Sequence, residues 1–268
     1  MSDAHFAAPL FIQEKNEEDI NLALTPWFCN TSNGPVWVAE PAPEIVRVEA
    51  VPTNPAIAMG TPYVVADIVK VIPNPPWGTE TQLGFSATEV VFEPFWATPA
   101  IAAAFGATLI QPGQAIQVSS PVNPLQYVEY DYGVFAGHWS PYQGTGNTLL
   151  TVSCTDLEHH DFPHVFASTD PLQPLVVSVG RYWPEQAIIR VADLWVKQGD
   201  ALYIPPKPAL PNQVCLDLHN NRNSALACWG NIRQNSITTH TLLQQNNGYF
   251  YWYWNALATV HSRPVMPG

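Results

Sequence analysis

The sequence predicts an all-β protein, a sandwich or barrel of roughly a dozen short strands, and three observations predict it. Charged residues are only 12% of the 268, about half the usual share, which excludes a coiled coil or long helical bundle, whose surfaces consume Glu, Lys and Arg. Runs rich in Val, Ile, Thr, Tyr and Trp recur along the whole chain, each bounded by turn residues. The 27 prolines are spread throughout rather than gathered into a linker, so a single domain over residues 1–268 is expected. An apolar share of 47% excludes intrinsic disorder. A chain of this size buries about three quarters of its unfolded surface and needs no disulfide or metal to fold.

In chain order, the first element expected is a short helix. Asn16 can cap Glu17-Glu18-Asp19, acidic residues that suit a helix N-terminus, ahead of Ile20-Asn21-Leu22-Ala23-Leu24. Strands follow at 35–39, 44–51, 63–72 and 83–92; in the second of these, Glu44-Ile45-Val46-Arg47-Val48-Glu49 implies a partly exposed face. A second short helix is expected over 99–105. Thr98 caps it, Pro99 takes its first position and Gly106 is the left-handed stop. Each helix is two turns long and must be held by packing.

The remaining strands fall at 107–119, 126–136, 148–154, 174–181, 187–197, 200–204, 213–218, 225–233 and 248–260. In 187–196 both alternating sets are mostly apolar: Ile189, Val191, Asp193 and Trp195 against Ile188, Arg190, Ala192 and Leu194. That is the pattern of a strand covered on both faces. No repeat of 20–50 residues is present, which counts against propellers and solenoids.

The formal charge is −12, of which the first 134 residues carry −11 and the rest −1. With no basic arm or Lys/Arg cluster, there is no electrostatic footprint for phosphate backbones, and direct nucleic-acid binding is excluded. The N-terminal MSDAHFAAPLFIQEKNEED lacks the positive region and apolar core of a secretory signal. No apolar run approaches the ~20 residues of a membrane helix. Cys29, Cys154, Cys215 and Cys228 form no CxxC, and in an unsecreted chain they are expected as small buried hydrophobes. Asn30-Thr31-Ser32 matches a glycosylation sequon that such a chain would not use.

Three constellations could carry chemistry. The first is the strand–turn–strand Trp195-Val196-Lys197-Gln198-Gly199-Asp200-Ala201-Leu202-Tyr203-Ile204-Pro205. It resembles the second cupin motif, with Gly199 and Pro205 in place. Lys207 stands where that family has Gly and Leu210 where it has a metal-binding His, and no His-x-His of the first motif occurs. A tight turn between two strands is the expectation.

The second is Asp156-Leu157-Glu158-His159-His160-Asp161-Phe162-Pro163-His164. His160 and His164 have the i, i+4 spacing of metal ligands on a helix, but Pro163 breaks a helix there. A polar loop between strands is expected, with a surface zinc or calcium site at His159, His160 or His164 as the alternative.

The third is Gly248-Tyr249-Phe250-Tyr251-Trp252-Tyr253-Trp254-Asn255. Period two puts Phe250, Trp252 and Trp254 on one face and Tyr249, Tyr251 and Tyr253 on the other. The tyrosine face, apolar with wet phenol tips, is the candidate interface; burial of both faces in a two-sheet sandwich is the alternative. Gly-x-Ser-x-Gly, Walker, HExxH and Gly-x-Gly-x-x-Gly motifs are absent, which lowers the case for an enzyme.

Taken over its whole length, the sequence resembles viral jelly-roll major capsid proteins, in particular the single-jelly-roll coat proteins of tailless icosahedral phages and archaeal viruses with an internal membrane. The features that carry the resemblance are the many short strands, the long Pro- and Asn-rich loops, the low charge and the four lysines Lys15, Lys70, Lys197 and Lys207. The resemblance implies an all-β jelly-roll β-sandwich or barrel with additional strands and two short helices. It implies a non-enzymatic virion subunit, made in the host cytoplasm, that assembles with copies of itself and a second coat protein into an icosahedral shell near an internal membrane. No cofactor, metal or small-molecule substrate is expected. A carbohydrate-binding β-sandwich and a cupin-like metalloenzyme using His159, His160 or His164 are the alternatives.

Overall fold

The structure is a computed structural model of the full chain; it describes residues 10–48, 59–74, 78–134, 148–151, 155–168, 175–207, 216–220, 237–243, 250–255, 257–262 and 264–265. Its first part contains β1 (Leu10–Ile20), β2 (Trp27–Thr31), β3 (Gly34–Val38), β4 (Glu44–Ile45), β5 (Thr61–Asn74), β6 (Gly78–Phe85), β7 (Glu89–Val91) and β8 (Glu93–Trp96). The helix α1 (Pro99–Ala104) leads to β9 (Thr108–Ile110), β10 (Gln114–Gln117), β11 (Leu125–Val134) and β12 (Thr148–Thr151). Then come β13 (Thr155–His160), β14 (His164–Ser168), β15 (Leu175–Trp183), β16 (Ile188–Val196), β17 (Ala201–Ile204), β18 (Leu216–Asn220), β19 (Ile237–Leu243), β20 (Phe250–Asn255) and β21 (Ala258–Ser262). The protein is all-β, as expected. Among the described residues no helix is long and apolar enough to cross a membrane.

Of the two expected helices one forms. Thr98 Oγ1 accepts from the Ile101 amide, Pro99 opens α1, and Gly106 follows with φ +75°. The helix is only six residues long and is held from outside: Arg181, 1% exposed, donates from Nη1 to the Ala104 carbonyl at 2.9 Å, a cation at the negative end of the helix. The expected helix from Asn16 is instead the end of β1. Glu17, Glu18 and Asp19 pair with Val128, Tyr127 and Gln126 of β11, and Asn21 starts a turn in which its carbonyl accepts from the Leu24 and Thr25 amides. A weak capping signal is overridden by an antiparallel ladder that pairs the β11-facing backbone groups along it.

Several expected strands are cut by turns. The 107–119 run divides into β9 and β10 around Gly113 at φ +88°, and 248–260 divides into β20 and β21. The expected strand at 225–233 lies outside the described residues, as do Cys154, Cys215 and Cys228; Cys29 is buried and free. Asn30 is 4% exposed and its amide donates to the carbonyls of Ile110 and Gly199, so the sequon is closed to a sugar.

Four sheets result. The largest two run β1-β11-β19-β14-β17-β9 and β15-β18-β13-β20-β6-β5-β16-β8, and a further pairing of β15 with β16 curls the second back on itself. A four-stranded sheet, β3-β2-β10-β4, and a three-stranded one, β12-β21-β7, complete the fold. The six-stranded sheet has core on both faces. Along β14, Val165 and Ala167 join the cluster of Phe28, Ile110, Ile116 and Tyr203, whereas Phe166 joins Leu175, Val177, Val179, Leu194 and Leu202 between the two large sheets. A third cluster, Val65, Val90, Phe92, Leu157, Ile189 and Val191, fills the inside of the curl. This is why β16 reads as apolar on both faces: Ala192, Leu194 and Val196 meet the core between the two large sheets, and Ile189 and Val191 meet the cluster inside the curl.

Gly60, at φ +83°, shows how tightly the curl is drawn. A Cβ there would lie 2.9 Å from the Val191 carbonyl oxygen and 3.2 Å from the Phe105 ring. Gly60→Ala is therefore expected to cost about 1–3 kcal/mol through backbone strain, read as a lower urea midpoint with an unchanged slope.

Candidate metal centre

The segment expected as a polar loop, 156–164, is two strands and a three-residue turn. β13 ends at His160, the chain turns through Asp161, Phe162 and Pro163, and β14 begins at His164. In that short span the chain crosses from the eight-stranded to the six-stranded sheet. Its histidines are interior, with His159 at 2%, His160 at 1% and His164 at 4% exposure, so the expectation of a surface loop is corrected. Polarity stood in for exposure, and here the polar groups face one another.

Alternation along β13 puts Glu158 and His160 on one face. β18 lies antiparallel to β13 with His219 opposite Glu158, and His219 is also the partner of Val179 in β15, a core residue between the two large sheets. His164 enters the same layer from β14, its ring edge-on to Phe166 at 5.1 Å and to His219 at 5.2 Å. Three imidazole nitrogens meet there. His160 Nε2 lies 3.1 Å from His164 Nδ1 and 3.2 Å from His219 Nε2, and the last two are 3.1 Å apart. Glu158 Oε1 is 3.9 Å from His219 Nε2, and the four ligand-type atoms all fall within 4.8 Å of one another.

The protons can be placed. His160 Nδ1 faces the Phe162 carbonyl, which only accepts, so Nδ1 carries the proton and Nε2 presents a lone pair to the cluster. Burial, then the neighbouring imidazoles, holds His160 and His164 well below the usual histidine range. Burial does the same to His219, pushed down to about 3. All three are neutral at pH 7. His164 Nε2 and His219 Nδ1 are buried with no hydrogen-bond partner among the described residues.

His159 points to the other face. Its Nδ1 donates to the Lys207 carbonyl at 3.0 Å, so its Nε2 accepts from the Tyr253 hydroxyl at 3.2 Å, and its ring stacks on Tyr251 and Tyr253 at 4.4 and 5.7 Å. Tyr251 and Tyr253 are half-buried, and Tyr253 also packs on the core inside the curl; burial, then Tyr251 and Tyr182, raises its phenol. Tyr249 lies outside the described residues. The alternation of Tyr251 and Tyr253 on one face was legible; their histidine partner, 94 residues away from Tyr253, was not.

Sequence reasoning missed His219 and Glu158 as partners of His160 and His164. It also missed a second polar group inside the curl, where Asp193 Oδ1 accepts from Ser178 Oγ at 2.7 Å and Oδ2 from His261 Nδ1 at 2.7 Å, all three residues at 0% exposure. One signal existed for that group, Asp193 on the face of β16 otherwise made of Ile189, Val191 and Trp195. Glu158 lay within the singled-out run 156–164, but His219 gave no signal, because nothing local pairs β13 with β18. No family model matches the chain, and no curated protein or solved structure matches it either.

Proposed function

We propose that the chain is a structural subunit built on a jelly roll, a viral shell protein that associates with copies of itself and with a second coat protein. Strand order carries this reading. Letter β11, β13, β14, β15, β16, β17, β18 and β19 as B to I in chain order. The six-stranded sheet then contains β11-β19-β14-β17, or B-I-D-G, and the curled sheet contains β13-β18-β15-β16, or C-H-E-F. Chain segments alternate between two facing sheets in the manner of two interlocked Greek keys, the arrangement shared by viral capsid domains, lectins and cupins. The other strands of the two large sheets extend one such unit rather than forming a second.

Association is supported by the surface. β1 is an 11-residue strand at the end of its sheet, paired on one side only among the described residues, and free strand edges are templates for association. β5 exposes Val64 and Ile68 at 57% and 47%. Low overall charge fits a surface largely covered by neighbours. Light scattering with sizing chromatography across concentration and salt is expected to show discrete large assemblies; a strict monomer throughout overturns the reading. Val64→Lys combined with Ile68→Lys is expected to keep the monomer folded and shift the population to smaller species.

A cupin-like metalloprotein is the second reading, and one observation favours it. Glu158-x-His160 on strand C, His164 on D and His219 on H supply the cupin donor types in a different order, which is why no His-x-His was present to find. Catalytic metal sites keep an open position, whereas Glu158 here offers a fourth protein donor beside three buried histidines, which weighs against turnover and for a structural role.

A further inference from the structure

Three buried imidazole nitrogens converge within 3.1–3.2 Å of one another, the spacing of ligands around a common centre rather than of a closed hydrogen-bond network. A neutral imidazole has one N–H, and His160 spends its own on Phe162. Any N–H turned into the triangle serves one neighbour at a time. A cation at the centre satisfies all three nitrogens at once. Bonds of about 2.0–2.1 Å from imidazole nitrogen to a tetrahedral ion place the ligand atoms ~3.3 Å apart, close to the spacing already present. The Glu158 carboxylate, 3.9 Å from His219 Nε2 and 16% exposed, needs only a small side-chain adjustment to close the fourth position.

We propose that Glu158, His160, His164 and His219 bind one zinc ion, which fastens the two large sheets to each other. The donor set chooses the metal. Three imidazoles with one carboxylate suit zinc and its transition-metal neighbours, whereas calcium and magnesium require oxygen. Four protein ligands, three of them buried, are the arrangement of a structural zinc. His160 is already oriented by its bond to the Phe162 carbonyl, the kind of outer support that fixes a ligand ring. The ion ties β13 and β18 of one sheet to β14 of the other and closes a loop between residues 59 apart, His160 and His219. That constrains the unfolded chain as a crosslink would. This inference shares its donors with the second reading above but not its chemistry, and it is independent of shell assembly.

The full-length protein, stripped with a chelator and titrated with Zn2+ alone, is expected to take up one equivalent and to melt at a higher temperature when loaded. Cobalt in its place is expected to give the intense visible absorption of a tetrahedral site. His164→Ala and His219→Ala are each expected to weaken zinc binding by more than the ~10–100-fold that loss of an outer-shell partner costs. Glu158→Gln removes a partly exposed ligand without opening the core, so it tests the site even where a histidine variant fails to fold; at least tenfold weaker binding is expected. Wild-type protein that takes up no zinc, or uptake unchanged in Glu158→Gln and in every histidine variant that folds, overturns the proposal. Uptake and melting temperature are read independently of turnover and particle yield, so this result stands apart from either functional reading.

Discussion

Asp193→Ala is expected to remove about 3–5 kcal/mol of folding stability, the range for breaking a buried polar pair by deleting one partner. Asp193 is the shared acceptor for Ser178 and for His261, and none of the three has exposed surface. Deletion removes the acceptor of the Ser178 hydroxyl and that of the His261 imidazole N–H in the core, each loss costing about 1–3 kcal/mol. It also loosens β21, because the His261 ring stacks on Phe92 at 5.0 Å and Asp193 anchors it to β16. Denaturant unfolding of Asp193→Ala, His261→Ala and the double variant is expected to show losses well short of additive, since both single changes break the same bond. Additive losses would mean that the two residues act separately.

Phe166→Ala is expected to cost about 3–5 kcal/mol, the usual range for truncating a buried aromatic side chain. Phe166 is 1% exposed and belongs to the core between the two large sheets, with its ring 5.1 Å from His164 and 5.8 Å from His219. It is the packing wall of the histidine cluster, so the loss is expected in two measurements at once: a lower denaturation midpoint and weaker zinc uptake than wild type. A stability loss with unchanged uptake would show that the ligands hold their positions without it.

What was legible in the sequence follows from how local each signal is. Thr98, Pro99 and Gly106 lie within nine residues and fix α1 by their own backbone chemistry. The apolar runs of β15 and β16 announce strands covered on both faces, and Gly199, at φ +82°, marks the turn that delivers β17. Glu17-Glu18-Asp19 gave an equally local signal that failed, because the ladder with β11 more than a hundred residues away outweighs a cap. Strand order was beyond reach for the same reason. The histidines of 159–164 were visible as residues but misplaced as a surface, since a polar run is buried only when distant groups meet it, and Glu158 acquires His219 through the pairing of β13 with β18.

The position of β20 has a consequence for how the protein is made. Residues 250–255 insert between β13 and β6, bonding residues 155–160 on one side and 78–82 on the other. A nascent chain emerging from the ribosome therefore carries two open sheet edges until residues 250–255 have been synthesised. Long-range pairing of this kind folds slowly and exposes strands meanwhile. The curled sheet can be completed only after β20 has emerged, more than 170 residues behind its partners in β6, and chaperone demand during that interval is built into its topology.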